Sequence, residues 1–266
     1  MKDISALRNQ VVELTKEVGK FIFQEFTNFD VSRLELKGLN NLVSYVDKEA
    51  EERLVAGLEK FLPEAGFVTE EETKSEQAEE YNWIIDPLDG TTNFIHGLHI
   101  FSVSIALMQH DELVLGVVYD ICRDECYHAV KGGGAYCNDR KISVSQAPSL
   151  GDSLIATGFP YYSFDLMQKY LQVMGSFMES CHGVRRLGSA ALDLAYVAAG
   201  KFEGYFEFNI NSYDVAGGAI LVQEAGGQVT DFRGGKNYVF GREICVSNNP
   251  TVQQEMLKLI EPFWKE

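Results

Sequence analysis

The sequence predicts a layered α/β (α+β) sandwich, and three patterns predict it. Apolar stripes at helical spacing fill the first part of the chain, a series of alternating strands follows, and strands and helices then take turns to the end. The chain has 266 residues, of which 45% are hydrophobic and 23% charged, the make-up of an ordinary globular protein. That length lies at the upper end of what one core can organise. The expectation is one domain, 1–266, made of two tightly packed halves that divide at about residue 148.

Leu7, Val11, Leu14, Val18, Phe21 and Ile22 recur one helical turn apart, which predicts an amphipathic helix over 4–26. Ala50, Leu54, Leu58 and Phe61 predict a second over 47–62, stopped by Pro63 and Gly66. The glutamate-rich stretch 70–80 reads as a loop. Trp83-Ile84-Ile85 reads as a buried strand that closes on Asp86 and Pro87. Phe101, Val103, Ile105 and Leu107 alternate with smaller residues as a strand does, and 113–121 and 126–130 continue an antiparallel meander through a turn at Arg123-Asp124. Further on, 154–156, 202–208 and 244–246 read as strands. Helices are expected over 164–179, from a Ser189 cap to Ala199, over 214–224, and over 250–260.

Thirty-nine acidic residues against 23 basic ones give a formal charge of −16. A surface that negative repels nucleic-acid backbones and anionic membranes, so neither is an expected partner. It would repel an anionic substrate too, unless bound cations offset it locally. The opening segment interleaves its apolar residues with Asp3, Arg8, Glu13, Lys16, Glu17 and Lys20, so it does not read as a signal peptide. No run reaches the roughly 20 apolar residues of a membrane span. The cysteines at 122, 126, 137, 181 and 245 are odd in number and scattered, without zinc-site spacing, which fits reduced thiols in a cytoplasm.

The segment that carries chemistry is Asp86-Pro87-Leu88-Asp89-Gly90-Thr91-Thr92-Asn93. Two carboxylates three residues apart flank a proline turn, Gly90 permits a tight bend, and Thr91 sets a hydroxyl beside them. Hard cations want oxygen ligands of this kind. Asp-Pro and Asp-Gly are also common in solvated turns; the apolar approach to the motif favours a buried site.

Asp86 to Asn93 resembles the DPxDGTxN signature of the inositol monophosphatase family, whose superfamily of lithium-sensitive, magnesium-dependent phosphatases also includes fructose bisphosphatases and bisphosphate nucleotidases. Tyr213-Asp214-Val215-Ala216-Gly217-Gly218 is similar to a second family element, WDxAAG, and Glu70-Glu71 to a third, so the resemblance runs from about Lys37 to Asn248. It implies an αβαβα sandwich of the inositol monophosphatase and fructose bisphosphatase type. It also implies Mg²⁺-dependent hydrolysis of a small polyol phosphate, myo-inositol monophosphate foremost, in a homodimer. By position, Glu70, Asp86, Asp89, Asp214 and the Leu88 carbonyl would hold two or three Mg²⁺ ions. Asp47 and Thr91, with Glu70, would activate the attacking water. Gly90 and Thr91 would face the phosphate, and Gly188, Ser189, Ala190 and Glu207 the inositol hydroxyls. Tyr213, Gly217, Thr69 and Ser189 depart from the usual Trp, Ala, Gly and Thr, without removing a ligand.

The residues themselves support this. Carboxylates about 5 Å apart repel by about 3 kcal/mol per pair at an effective dielectric of about 20. Such a group takes up protons or binds cations. Bland roles stay open: Asp214 could cap its helix, Asp47 could cap the second helix, and Glu70 could be solvated in its acidic run. His96 and His99 lack zinc-site spacing, Gly132-Gly133-Gly134 lacks the rest of a P-loop, and Ser102 and Ser104 have no triad partners. Rival substrates are histidinol phosphate, fructose 1,6-bisphosphate and a 3′-phosphoadenosine nucleotide. A second phosphate would call on Lys37, Arg185 and Arg186. A rival of another class is a non-catalytic metal- or polyol-binding protein.

Overall fold

Helix α1 (Ile4–Thr27) starts where Asp3 caps it: the Asp3 carboxylate accepts from the backbone N–H groups of Ser5 and Ala6, both at 3.0 Å. Its predicted stripe buries Leu7, Val11, Val18 and Ile22 against helix α2 (Tyr45–Phe61), which buries Ala50, Leu54 and Leu58 in return. Each large aliphatic taken out of water there contributes roughly 2 kcal/mol. These coordinates are a computed structural model, which describes residues 3–29, 34–38, 41–159 and 164–264, with 34–38 and 41–44 described by backbone only.

Both helices lie on one face of a seven-stranded sheet. Its order is β3 (Gly66–Thr69), β4 (Tyr81–Asp89), β5 (Ser102–Gln109), β6 (Glu112–Asp120), β7 (Glu125–Val130), β8 (Gly134–Cys137) and β9 (Arg140–Lys141). Only β3 runs parallel to its neighbour; every other pair is antiparallel, as the predicted meander requires. β1 (Leu34–Gly38) and β2 (Asn41–Ser44) form a separate hairpin.

The second half builds a five-stranded sheet in the order β11 (Gly183–Arg185), β10 (Leu154–Thr157), β12 (Gly204–Phe208), β14 (Glu243–Ser247) and β13 (Gln228–Thr230). Helices α5 (Ala190–Ala198) and α6 (Ser212–Glu224) are apolar on nearly every side because both sheets cover them. Helices α4 (Met167–Ser180) and α7 (Pro250–Trp264) close the outer face. The layers therefore read α1/α2, sheet, α5/α6, sheet, α4/α7, which is the expected αβαβα sandwich.

Glycines let the middle layer sit close. A Cβ on Gly116 of β6 would come within 2.7 Å of the Gly217 carbonyl oxygen on α6, and one on Gly218 within 2.3 Å of Leu194 on α5. The Gly217 departure fits the same contact, since its own Cβ would meet Ser104 Oγ at 2.6 Å. Boundaries moved in several places. Helix α4 spans Met167–Ser180 rather than 164–179, β12 starts at Gly204 rather than 202, and α7 runs past 260 to Trp264 with Pro262 inside it. No described helix is long and apolar enough to cross a membrane. All five cysteines are free thiols.

Candidate active site

Strand β4 presents two carboxylates through a bulge. Asp86 pairs with Ser104 and Asp89 with Ser102, so three steps along β4 match two along β5. Residues three apart in a regular strand face opposite sides; one extra residue restores them to the same side. Pro87 has no N–H for the ladder and is accommodated in the bulge. The expected proline turn after a strand ending at Asp86 is thus corrected: the strand continues to Asp89.

Helix α6 brings a third carboxylate. Oxygens of Asp86, Asp89 and Asp214 all lie within 4.8 Å of one another. Asp214 does not cap its helix, which starts at Ser212 with Asn211 as cap. It is the third residue of α6, and its Oδ2 accepts from the Asn211 N–H at 2.7 Å, the reciprocal half of a capping box. Its second oxygen is left for the cleft.

Glu70 follows β3 and adjoins this group, with the Asp86 carboxyl as its neighbour. Its Oε2 is buried without a hydrogen-bond partner. The turn after it is anchored by Glu51, fully buried on α2, whose carboxylate accepts from the N–H groups of Glu71 and Thr73 at 2.8 Å each. Sequence reasoning missed Glu51. Its signal was an acidic residue beside Ala50 on a buried stripe, one turn beyond Asp47.

Gly90 holds φ +98°, and a Cβ there would press on the Ile100 carbonyl at 3.0 Å. A short helix α3 (Thr91–Ile95) follows it. The Thr91 hydroxyl lies 2.8 Å from Asp47 Oδ1 and 3.0 Å from the Leu88 carbonyl, so it donates to one of these acceptors at a time. Asp47 is 1% exposed and lies in the first turn of α2, two residues past its start, so it is not that helix's cap. Asn93, given no role from sequence, donates to the Ile100 and Leu187 carbonyls at 2.8 and 2.9 Å and ties α3 to the loop before α5.

That loop reaches the carboxylates. Ser189 caps α5 as expected, and its hydroxyl donates to Asp89 Oδ2 at 2.6 Å, which also accepts from the Ala191 N–H at 2.7 Å. Ser102 Oγ lies 3.1 Å from Ser189 Oγ, a structural use of a serine without triad partners. Gly188, Ser189, Ala190 and Glu207 all line one cleft of about 620 Å³ with the carboxylates. The Glu207 carboxylate fills a hollow above Gly158, where a Cβ would lie 2.0 Å from it, and accepts from the Tyr205 hydroxyl.

Of the predicted cations, Arg186 lines the cleft, Arg185 does not, and the Lys37 side chain lies outside the described residues. Arg242, which sequence reasoning missed, also lines it and is held by Asn209 Oδ1 through Nη2 at 2.7 Å. His96 sits at the rim, while His99 packs edge-on against Phe26. The Cys122–Cys126 pair belongs to no metal-type cluster among the described residues.

Electrostatics mark the site. Burial, then the charges of Asp214, Asp47 and Glu71, pushes the Glu70 carboxyl well above its ordinary value, against a hydrogen bond with Asp86; burial, then the charges of Glu70, Asp89 and Asp214, does the same for Asp86, and burial and the charge of Asp89 for Asp214. Burial raises Asp89 to about 6, against the hydrogen bonds from Ser189 and Ala191 that hold it down. Glu207 is raised to about 7 by burial, opposed by Tyr205 and Arg186. Crowded, partly unsatisfied oxygen donors with no nitrogen or sulfur among them fit a hard divalent cation.

A sandwich of this layering, with the carboxyl groups of Glu70, of Asp86 and Asp89, and of Asp214 brought from three segments into one cleft, has the donor chemistry of a hard-cation site. A family model described as the inositol monophosphatase family matches residues 3–265, and the chain belongs to that family. It is 40% identical to an inositol-1-monophosphatase of Mesorhizobium japonicum over 97% of each chain. It is 38% identical to a protein of Pasteurella multocida named Nus factor SuhB, again over 97% of each. The solved extragenic suppressor protein SuhB of Bartonella henselae superposes with a TM-score of 0.90 at 37% identity, covering 96% of this chain and 98% of that one.

Proposed function

We propose that the chain is a Mg²⁺-dependent phosphatase that hydrolyses small polyol phosphate monoesters, with myo-inositol monophosphate as the leading substrate. The observation that carries this reading is the meeting of Asp86, Asp89 and Asp214 within 4.8 Å, beside a Thr91–Asp47 couple. Glu70, Asp86, Asp89, Asp214 and the Leu88 carbonyl would hold two or three Mg²⁺ ions. Bound there, the ions would supply Lewis acidity at the phosphate and offset the negative charge of both substrate and protein.

The chain's own groups do the rest. With its proton donated to Asp47, the Thr91 hydroxyl keeps lone pairs free to accept a hydrogen bond from the attacking water. Asp47, 1% exposed, is the acceptor at the end of that couple, placed to take the proton that leaves the water through Thr91. Glu70, which lines the cleft with one oxygen unpartnered, serves as the second group orienting water. The backbone N–H groups of Gly90 and Thr91 face the phosphate, and Gly188, Ser189, Ala190 and Glu207 face the alcohol. Attack is in line, by water, with no phospho-enzyme. In this reading residues 1–266 act as one phosphatase domain, since both halves contribute to the cleft, and the chain works as a homodimer.

Relatives under both names align over the same length, so names do not divide the readings; the cleft favours catalysis over metal or polyol binding alone. Histidinol phosphate, fructose 1,6-bisphosphate and a 3′-phosphoadenosine nucleotide remain the competing substrates, and Arg186 and Arg242 are the cations in the cleft wall that a second phosphate would meet. The test is phosphate release across this panel in Mg²⁺, in excess chelator and in lithium. Preferred turnover of inositol phosphate, abolished by chelator and inhibited by lithium, is expected. Undiminished turnover in chelator would overturn the metal role, and a faster nucleotide reaction would overturn the substrate.

A further inference from the structure

Helix α5 carries Asp193 into the wall of the cleft from within an otherwise apolar run, Leu192, Leu194 and Ala195 being fully buried. Asp193 is 2% exposed, and its Oδ1 is buried with no hydrogen-bond partner. A carboxyl placed so is costly to the fold, and a purely structural residue would be hydrogen-bonded. Burial pushes it well above its ordinary value, Glu207 and Asp89 adding to the shift and Arg186 opposing it. Its carboxyl neighbour Glu207 is treated quite differently: Tyr205 donates to it and Gly158 leaves room for it. One carboxyl is seated by the protein. The other has one buried oxygen with no donor among the described residues.

We infer that Asp193 is a specificity-determining residue that, with Glu207, accepts hydrogen bonds from hydroxyl groups on the alcohol half of the substrate, so that the cleft selects phosphate esters of polyhydroxylated alcohols. The inference rests on the phosphatase reading of the cleft. Two carboxyls from different elements, α5 and β12, can be satisfied together by an alcohol carrying several hydroxyls. A simple aryl or alkyl ester leaves that Asp193 oxygen unpaired, and sites built to hydrogen-bond a hydroxyl reject analogues that lack it. Asp193 takes no part in the predicted metal and water-activating set, so its contribution falls on binding of the alcohol.

The experiment compares wild type, Asp193→Ala and Asp193→Asn on myo-inositol 1-phosphate, on histidinol phosphate and on phenyl phosphate. For Asp193→Ala, kcat/KM on the inositol ester is expected to fall about 10- to 100-fold, mostly through KM, with less than about a threefold change on phenyl phosphate. Asp193→Asn, which keeps one acceptor oxygen and the side-chain volume, should recover part of the loss and carries the test if the alanine variant does not fold. Calorimetric titration with inositol 1-phosphate in Ca²⁺ reads the same contrast as binding, so it holds even if no ester is turned over. Equal losses on both esters, or no change on either, would overturn the inference. A larger loss on histidinol phosphate than on the inositol ester would also overturn it, assigning the residue to an ammonium group. A wild type inactive on every ester would sink the phosphatase reading instead.

Discussion

At the scale of single residues, the cleft depends on side chains whose hydrogen bonds are partly spent on the fold. Asp89 is the clearest case, because Ser189 and the Ala191 N–H hold one of its oxygens. Asp89→Asn keeps an acceptor for those donors but removes the charge. Turnover should fall about 1000-fold, equivalent to about 4 kcal/mol, while circular dichroism and the melting temperature stay close to wild type. A large loss of structure would reassign Asp89 to the fold. Gly158 is a positioning residue. Gly158→Ala would drive a methyl into the space that the Glu207 carboxyl occupies, so KM for the inositol ester should rise about tenfold with kcat little changed. An equal fall in kcat on inositol and phenyl esters would show that the strand had been disturbed instead.

At the scale of elements, the bulge in β4 and the glycine seam under α6 place the carboxylates. Gly116→Ala would set a Cβ 2.7 Å from the Gly217 carbonyl and 2.3 Å from Ile220. Overpacking there should cost about 1–3 kcal/mol in denaturant unfolding and weaken cation binding, because α6 carries Asp214. A variant as stable as wild type would show that the seam yields. These elements also mark the limits of reading a sequence. Helices α1 and α2 and strands β5 to β7 were legible because their apolar periodicities run long enough to be unambiguous. The short strands β3, β8, β9, β11 and β13 and the five-residue α3 were not, since two to five residues carry too little period and are held by their neighbours. Asp86, Asp89 and Asp214 were legible as candidates, whereas Glu51 and Asp193 were not, because a buried acid looks like a solvated one until its surroundings are known.

For the whole molecule, the acidic cleft links stability to pH and cations. Carboxyls raised in the fold hold protons that the unfolded chain has released, between the ordinary range of about 4 and folded values of about 6 for Asp89 and about 7 for Glu207. Their stabilising contribution is complete below that window and is lost as pH rises through it. In chelator, the melting temperature attributable to this cluster should therefore decline from pH 5 toward pH 8, and Asp86→Asn should melt higher than wild type at neutral pH. Millimolar Mg²⁺ should raise the wild-type melting temperature by an increment that grows with pH, since cations and protons compete for the same oxygens. A Mg²⁺ increment independent of pH across that range would contradict the assignment.

The sequence by itself determined the class of fold, the apolar faces of the main helices and strands, and the motif whose oxygen donors suit a hard cation, because these are local properties of periodicity and side-chain chemistry. Only the tertiary structure decided that a bulge turns Asp86 and Asp89 to one side, that α6 delivers Asp214 within 4.8 Å of them, and that one buried oxygen of Asp193 is left without a partner among the described residues. Convergence and burial are set by how distant segments pack, and no window of the chain contains that information.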